Sequence, residues 1–228
     1  MCGRYGLYEV SGLEDRFKAK SAVKKITDNY NVAPGQTMPV VVSGEDGNTI
    51  RQMKWGLIPS WTKDPNIGYK MINARSETIF DKPSWRGPIK HTRCLVPARG
   101  FYEWDTILEN KKKPEKQPYY IKPKDQVLFA FAGVYSVWHD ADNKEVFTYS
   151  IVTTSSNEDM QKIHDRMPVI LKPEDEDLWL DPSVLDRGVI ETLLRKYDDG
   201  MIEMFKVSRD VNTVRNNDNH LIYPINSQ

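Results

Sequence analysis

At 228 residues the chain is long enough for one large domain with a normal core, and 39% hydrophobic with 11% aromatic residues reads as globular. No apolar run approaches a membrane span, and the start lacks the basic-then-apolar pattern of a signal peptide, so a cytoplasmic address is expected. Formal net charge is zero, yet Thr49 to Gly100 holds ten Lys or Arg against Asp64, Glu77 and Asp81, while Glu174 to Glu203 holds ten acids against Arg187, Arg195 and Lys196.

The basic half also carries Trp55, Trp61 and Trp85. Cations interleaved with aromatics suit a single-strand groove, which needs charge for phosphates and flat faces for unstacked bases. A solvated charged surface over core tryptophans is the competing reading. The only cysteines are Cys2 and Cys94, with no CxxC, and the four histidines are scattered at 91, 139, 164 and 220, so neither a disulfide scaffold nor a metal site is expected.

In chain order, residues 11–20 ("SGLEDRFKAK") open with a Ser-x-x-Glu capping box and predict a helix. Residues 109–118 ("ENKKKPEKQP") predict a charged hairpin tip. The β-branched and aromatic runs 118–123, 127–138 and 146–154 predict strands. A second capping box opens 155–164 ("SSNEDMQKIH") as a helix, and apolar spacing predicts a third over 182–197. Strands outnumber helices and no repeat is present. The expected architecture is a single α+β domain over residues 1–228, with a mainly antiparallel, barrel-like sheet and a few peripheral helices.

Cys2 follows the initiator Met1 directly. If Met1 is removed, the residue carries a free amine and a thiol on adjacent carbons. An α-amine titrates near ~7.7 to 8.0 against ~10.4 for lysine, so roughly a tenth is neutral at pH 7. With an aldehyde the amine gives a Schiff base, and the thiol closes on the imine carbon to a five-membered thiazolidine, favoured by proximity. An ordinary thiol near ~8.5 supplies a few per cent thiolate without help. The alternative is an N-terminal nucleophile that cleaves amides with its own amine as base. A small buried apolar residue is the third reading.

In "GFYEW", strand alternation puts Phe101 and Glu103 on one face and Tyr102 and Trp104 on the other. Buried among aromatics, Glu103 becomes a usable acid as well as a base; on a half-exposed strand it is a surface carboxylate. On a 155–164 helix, Met160, Ile163 and His164 share one face, which fits either a core histidine or a proton carrier near neutral pH.

Behind the initial "MCGR", the ordered motifs "NYNVAPGQ", "MKWGLIPSW", "MINARSET", "RCLVPARGFYEW", "IHDRMPVIL" and "VSRDVNTVRNND" resemble the SOS response-associated peptidase (SRAP) family of abasic-site processing proteins. The resemblance spans nearly the whole chain. It implies a mainly β domain that binds single-stranded DNA and captures abasic sites as a thiazolidine on its N-terminal cysteine, with no cofactor. It implies catalytic roles for Cys2, Asn73, Glu103 and His164. Asn73 cannot take a proton, but its amide can hold the Cys2 amine or a sugar oxygen. Glu103 would drive opening of the closed abasic sugar, and His164 would move a second proton near the imine.

For DNA, the same resemblance implies phosphate contacts by Arg4, Arg75 and Arg166, and apolar surfaces near the bases from Pro34, Trp61 and Trp104. Met167 stands where some relatives carry a second basic residue. The peptidase of the family name finds no Ser-His-Asp order here, and the amide cut would be the Met1–Cys2 bond. The expected partner is single-stranded DNA containing abasic sites, met by a monomer in the cytoplasm at the nucleoid. A non-covalent reader of single-stranded or modified DNA, and an N-terminal-nucleophile amidohydrolase, are the alternatives.

Overall fold

The computed structural model describes residues 2–23, 25–107 and 115–225. Strands dominate, as the sequence predicts. β1 (Tyr5–Leu7), β2 (Ala19–Ser21), β3 (Asn29–Val32), β4 (Thr37–Gly44) and β5 (Gly47–Trp55) come first, followed by β6 (Asn73–Arg75), β7 (Arg93–Ala98) and β8 (Gly100–Ile107). β9 (Glu115–Pro123) and β11 (Glu145–Ser155) contain two of the three runs read as strands, and β10 (Phe129–His139) takes up the third from its third residue on, before β12 (Arg166–Pro168), β13 (Ile170–Leu171) and β14 (Ile202–Lys206). The helices are short: α1 (Leu13–Arg16), α2 (Pro83–Arg86), α3 (Pro88–His91), α4 (Pro173–Leu180) and α5 (Arg187–Leu193).

The sheet closes on itself. β5 pairs with β4, β4 meets β7 at Val41 opposite Leu95, β7 pairs with β10, and β10 with β11. β11 then returns to β5 in parallel, Tyr149 opposite Trp55, which completes a five-stranded ring and leaves its strands without free edges. A second sheet runs in the order β14, β9, β8, β1, β3. The two share one core: Phe131 of β10 makes edge contacts with Tyr5 of β1 and Phe101 of β8.

β8 alternates as expected. Phe101 joins the main core, whereas Tyr102 and Trp104 join a smaller cluster with Tyr120, Val207, Val211 and Leu221.

The helices depart from expectation. Over 11–20 the α-helix is a single turn, because Lys18 takes a left-handed φ of 47° and Ala19–Ser21 pairs in parallel with β5. Glu14 accepts from the Ser21 backbone N–H (2.9 Å) and does not close a box on Ser11. Over 155–164 only a 3₁₀ turn forms, Met160–Lys162. Ser155 is still strand, opposite Arg166 of the antiparallel β12, and Ser156 N–H still donates to the Asp165 carbonyl (3.1 Å), so the expected first turn is spent on the ladder and the chain reverses within 157–164. Asn157 Oδ1 caps that turn by accepting from Met160 N–H (3.0 Å).

The third predicted helix shortens to α5, capped by Asp186 accepting from Val189 N–H (2.9 Å). α2, α3 and α4 are not expected from the sequence pattern, and of these α4 is the longest. Pro173 starts it, three acids fill its first turn where the helix dipole favours them, and it buries Trp179 and Leu180. Glu115–Pro118 belongs to β9 and not to a hairpin tip; the rest of that expected insert lies outside the described residues.

Arg93 ties α3 and α4 to the barrel. Its guanidinium, 5% exposed, donates to the carbonyls of Ile89 (2.9 Å), Lys90 (3.0 Å), Trp179 (2.6 Å) and Asp181. Arg93→Met is expected to cost about 3 kcal/mol, since charge-assisted bonds are lost and the carbonyls are left buried. Denaturant titration checks this, and a change below about 1 kcal/mol would mean that water replaces the guanidinium.

Candidate functional site

The N-terminus reaches the site along a strand ladder. Tyr5 pairs with Phe101 and Gly6 with Gly100, and Tyr102 N–H donates to the Arg4 carbonyl (2.9 Å), which carries the ladder back towards Cys2. Residues 2–4 therefore run beside Glu103. Cys2 is fully buried and Glu103 is 4% exposed, so the interior placement expected for Glu103 holds. Burial pushes the Cys2 thiol well up, and the Glu103 charge adds to it. A spontaneous few per cent of thiolate is thus not what this environment favours. Tyr5 and Tyr149 share a hydroxyl hydrogen bond (2.7 Å) nearby, and burial pushes both phenols up.

Asn73 arrives from another direction. β6 lies parallel to β11, with Asn73 opposite Ile151 and Arg75 opposite Thr153. From there Asn73 Nδ2 donates to the Cys2 carbonyl at 2.8 Å, a contact between residues 71 positions apart. Its Oδ1 is buried and accepts no hydrogen bond among the described residues. That leaves an acceptor beside Cys2 for an incoming N–H or O–H.

β12 flanks the same end of β11, with Arg166 opposite Ser155. Arg166 binds Glu77 through Nη1 and Nη2 (2.5 and 3.0 Å) and donates from Nη2 to the Thr153 carbonyl (2.8 Å). This pairing holds the Glu77 carboxylate below its usual range. His164, half-buried, precedes β12. Its Nδ1 lies 2.9 Å from the Arg166 backbone N–H and 2.9 Å from the Asp165 carboxylate. The neutral ring accepts from the former; the protonated ring donates to the latter. One end of β11 thus gathers Asn73 and Arg75 on one flank and Arg166, just after His164, on the other.

The expected DNA residues divide. Arg75 is exposed, and Trp61 is 64% exposed in the loop between β5 and β6. Pro34 is half-buried in the turn between β3 and β4. Arg4 is engaged internally, Nη1 donating to Asn31 Oδ1 (2.7 Å) and to the Val211 carbonyl (2.8 Å). Trp104 donates from Nε1 to Asn212 Oδ1 (2.7 Å), in the cluster on the strand face away from Glu103. Arg166 already holds Glu77. Met167 is fully buried, so that position faces the core.

Sequence reasoning missed Glu77, whose role needs the parallel β6 pairing, and Asn31. Asn31 Nδ2 donates to the carbonyls of Val211, Thr213 and Asn216, which explains why the early "NYN" and the late "VSRDVNTVRNND" belong together. Among the described residues, no group of His, Cys, Asp and Glu has the geometry of a metal site, both cysteines are free and buried, and no helix is long and apolar enough to cross a membrane.

Known proteins resemble this chain in sequence and in fold. The chain is 42% identical over 225 residues to the abasic site processing protein YoqW of Bacillus subtilis, covering 97% of this chain and 99% of that one. It is 33% identical to the abasic site processing protein HMCES of Gallus gallus, covering 86% of this chain and 66% of the relative. A crystal structure of a Bacteroides thetaiotaomicron protein superposes with a TM-score of 0.88 at 31% identity, covering 98% of this chain and all of that one. The model of the SOS response associated peptidase family matches residues 1–214. The chain belongs to the SOS response associated peptidase (SRAP) family.

Proposed function

We propose that this chain processes abasic sites in single-stranded DNA by forming a covalent thiazolidine between Cys2, freed of Met1, and the ring-opened sugar aldehyde. The reading rests on one observation above the others: Asn73 grips the Cys2 backbone at 2.8 Å while the buried Glu103 lies alongside. The names of the relatives point to the same lesion.

The steps derive from the groups present. Glu103 moves the proton that opens the closed hemiacetal to the aldehyde. The Cys2 amine adds to the aldehyde carbon, and the carbinolamine loses water to give the imine. The thiol sulfur then bonds to the imine carbon while the thiol proton ends on nitrogen, so the only net loss is one water. Because burial raises the thiol, its proton has to leave as sulfur attacks, and the imine nitrogen on which it ends is the acceptor. Asn73 Oδ1 accepts from the amine or from a sugar hydroxyl. His164 passes protons at the imine nitrogen.

The test is an electrophoretic shift with a single-stranded oligonucleotide bearing one abasic site. The processed chain is expected to give a heat-stable shift, and a chain with Met1 retained or with an acetylated terminus is expected to give none. An equal shift from the blocked chain would end the N-terminal mechanism.

A further inference from the structure

Tyr69 is a large aromatic left 64% exposed, yet it stands on some of the most constrained backbone in the molecule. Gly56, with φ of 122°, and Gly68 meet backbone to backbone: a Cβ on either would come within 2.6 to 2.8 Å of the other's carbonyl oxygen. Gly56 N–H donates to Tyr149 in the barrel wall (2.8 Å), Leu57 N–H to Met71 (3.1 Å), and Met71 N–H to Gly68 (2.9 Å). These bonds pin the loop at both ends where the barrel closes, and Tyr69 directly follows the pinned Gly68.

The surroundings of the ring are those of a nucleobase platform. Lys54 Nζ lies 5.7 Å from its centroid and makes no ion pair among the described residues. The turn at Gly35, next to Pro34, faces the ring edge: a side-chain carbon on Gly35 would lie 3.4 Å from it. Exposed Trp61 belongs to the same loop, and Asn73 follows Tyr69 by only four positions. A rigid exposed ring beside an uncommitted cation can stack a base and hold the adjoining phosphate.

We infer that Tyr69 and Lys54 form a subsite for the nucleotide flanking the lesion, the base stacked on the open part of the Tyr69 ring and its phosphate on Lys54. The inference rests on the single-strand function proposed above and adds to it a stacking residue and a cation. Stacking on a π-face is tolerant of sequence, so the subsite fixes the strand beside the abasic site without selecting a base by hydrogen bonding.

The experiment uses the processed chain and single strands bearing a tetrahydrofuran abasic analogue, which has no aldehyde, so that equilibrium binding is read without crosslinking. 2-Aminopurine is placed in turn at each position flanking the analogue. Tyr69→Ala is expected to weaken binding about tenfold or more and to remove the quenching of 2-aminopurine at one flanking position, while Tyr69→Phe retains both. Lys54→Met is expected to lower the slope of log affinity against log salt by about 0.7, whereas Lys122→Met, on β9, leaves it unchanged. If Tyr69→Ala binds and quenches like the parent while Arg75→Ala weakens binding, the subsite is overturned and the single-strand function stands. If Tyr69→Phe is as weak as Tyr69→Ala, a hydroxyl contact replaces stacking and the inference again fails. Failure of the parent chain to bind single strands would remove the broader function and this subsite together.

Discussion

With Met1 removed, Cys2→Ala is expected to lose the durable crosslink almost completely while keeping an adduct that borohydride can trap. The amine survives in the variant, so the imine still forms, but no sulfur is present to close the ring and water returns the aldehyde. Cys2→Ser should behave in the same way, because a hydroxyl is a far poorer nucleophile than a thiol at neutral pH. Cys94→Ala is the internal control: Cys94 is equally buried but has no adjacent amine, so crosslinking should persist apart from any loss of packing. A heat-stable shift undiminished in Cys2→Ala without reductant would sink the thiazolidine and leave a lysine imine in its place. The same environment sets a pH dependence. Thiolate is the attacking species and the thiol is held up, so the rate of ring closure should go on rising past the ~8.5 at which an ordinary thiol levels off.

Glu103→Gln is expected to separate two steps by the sign of its effect. The amide keeps the shape of the carboxylate but neither takes up nor gives a proton near neutral pH, so capture of the closed abasic sugar should slow by roughly 10²- to 10⁴-fold. The substitution also removes the charge that helps to raise the Cys2 thiol. On a simple open-chain aldehyde the variant should therefore react at a rate close to that of the parent, or slightly faster. Single-turnover rates on the two substrates make the comparison. Equal slowing on both would mean that Glu103 acts after ring opening, for instance as the obligatory acceptor of the thiol proton.

Much of this protein is legible one segment at a time. The runs that became β9, β10 and β11 announce themselves because a strand buried on its core side needs β-branched and aromatic residues with few interruptions. That Glu103 shares a strand face with Phe101 follows from alternation alone, since the side-chain period of a strand is two whatever it pairs with; Phe101 and Tyr102 on opposite faces are both buried, so which face meets Cys2 does not. That Cys2 without Met1 would join an amine and a thiol in one residue is likewise local, whereas the burial that raises its thiol is not.

Helix lengths were not legible. Capping boxes at Ser11 and Ser155 offer a start, but competing partners set how far each helix runs: β5 draws Ala19–Ser21 into the sheet, and β12 forces an early reversal after β11. A short helix gains too little from its own hydrogen bonds to resist a strand that pairs and buries.

The site itself depends on closure of the barrel. Only the return of β11 to β5 and β6 brings Asn73 to Cys2 and Glu77 to Arg166, contacts 71 and 89 residues apart in the chain. The same packing divides residues that look alike in sequence: Arg75 stays exposed, whereas Arg4 is bound to Asn31 and Val211. Residue type and spacing define which groups can do chemistry. Which of them meet, and which are spent on holding the fold, is decided by long-range pairing that no local pattern encodes.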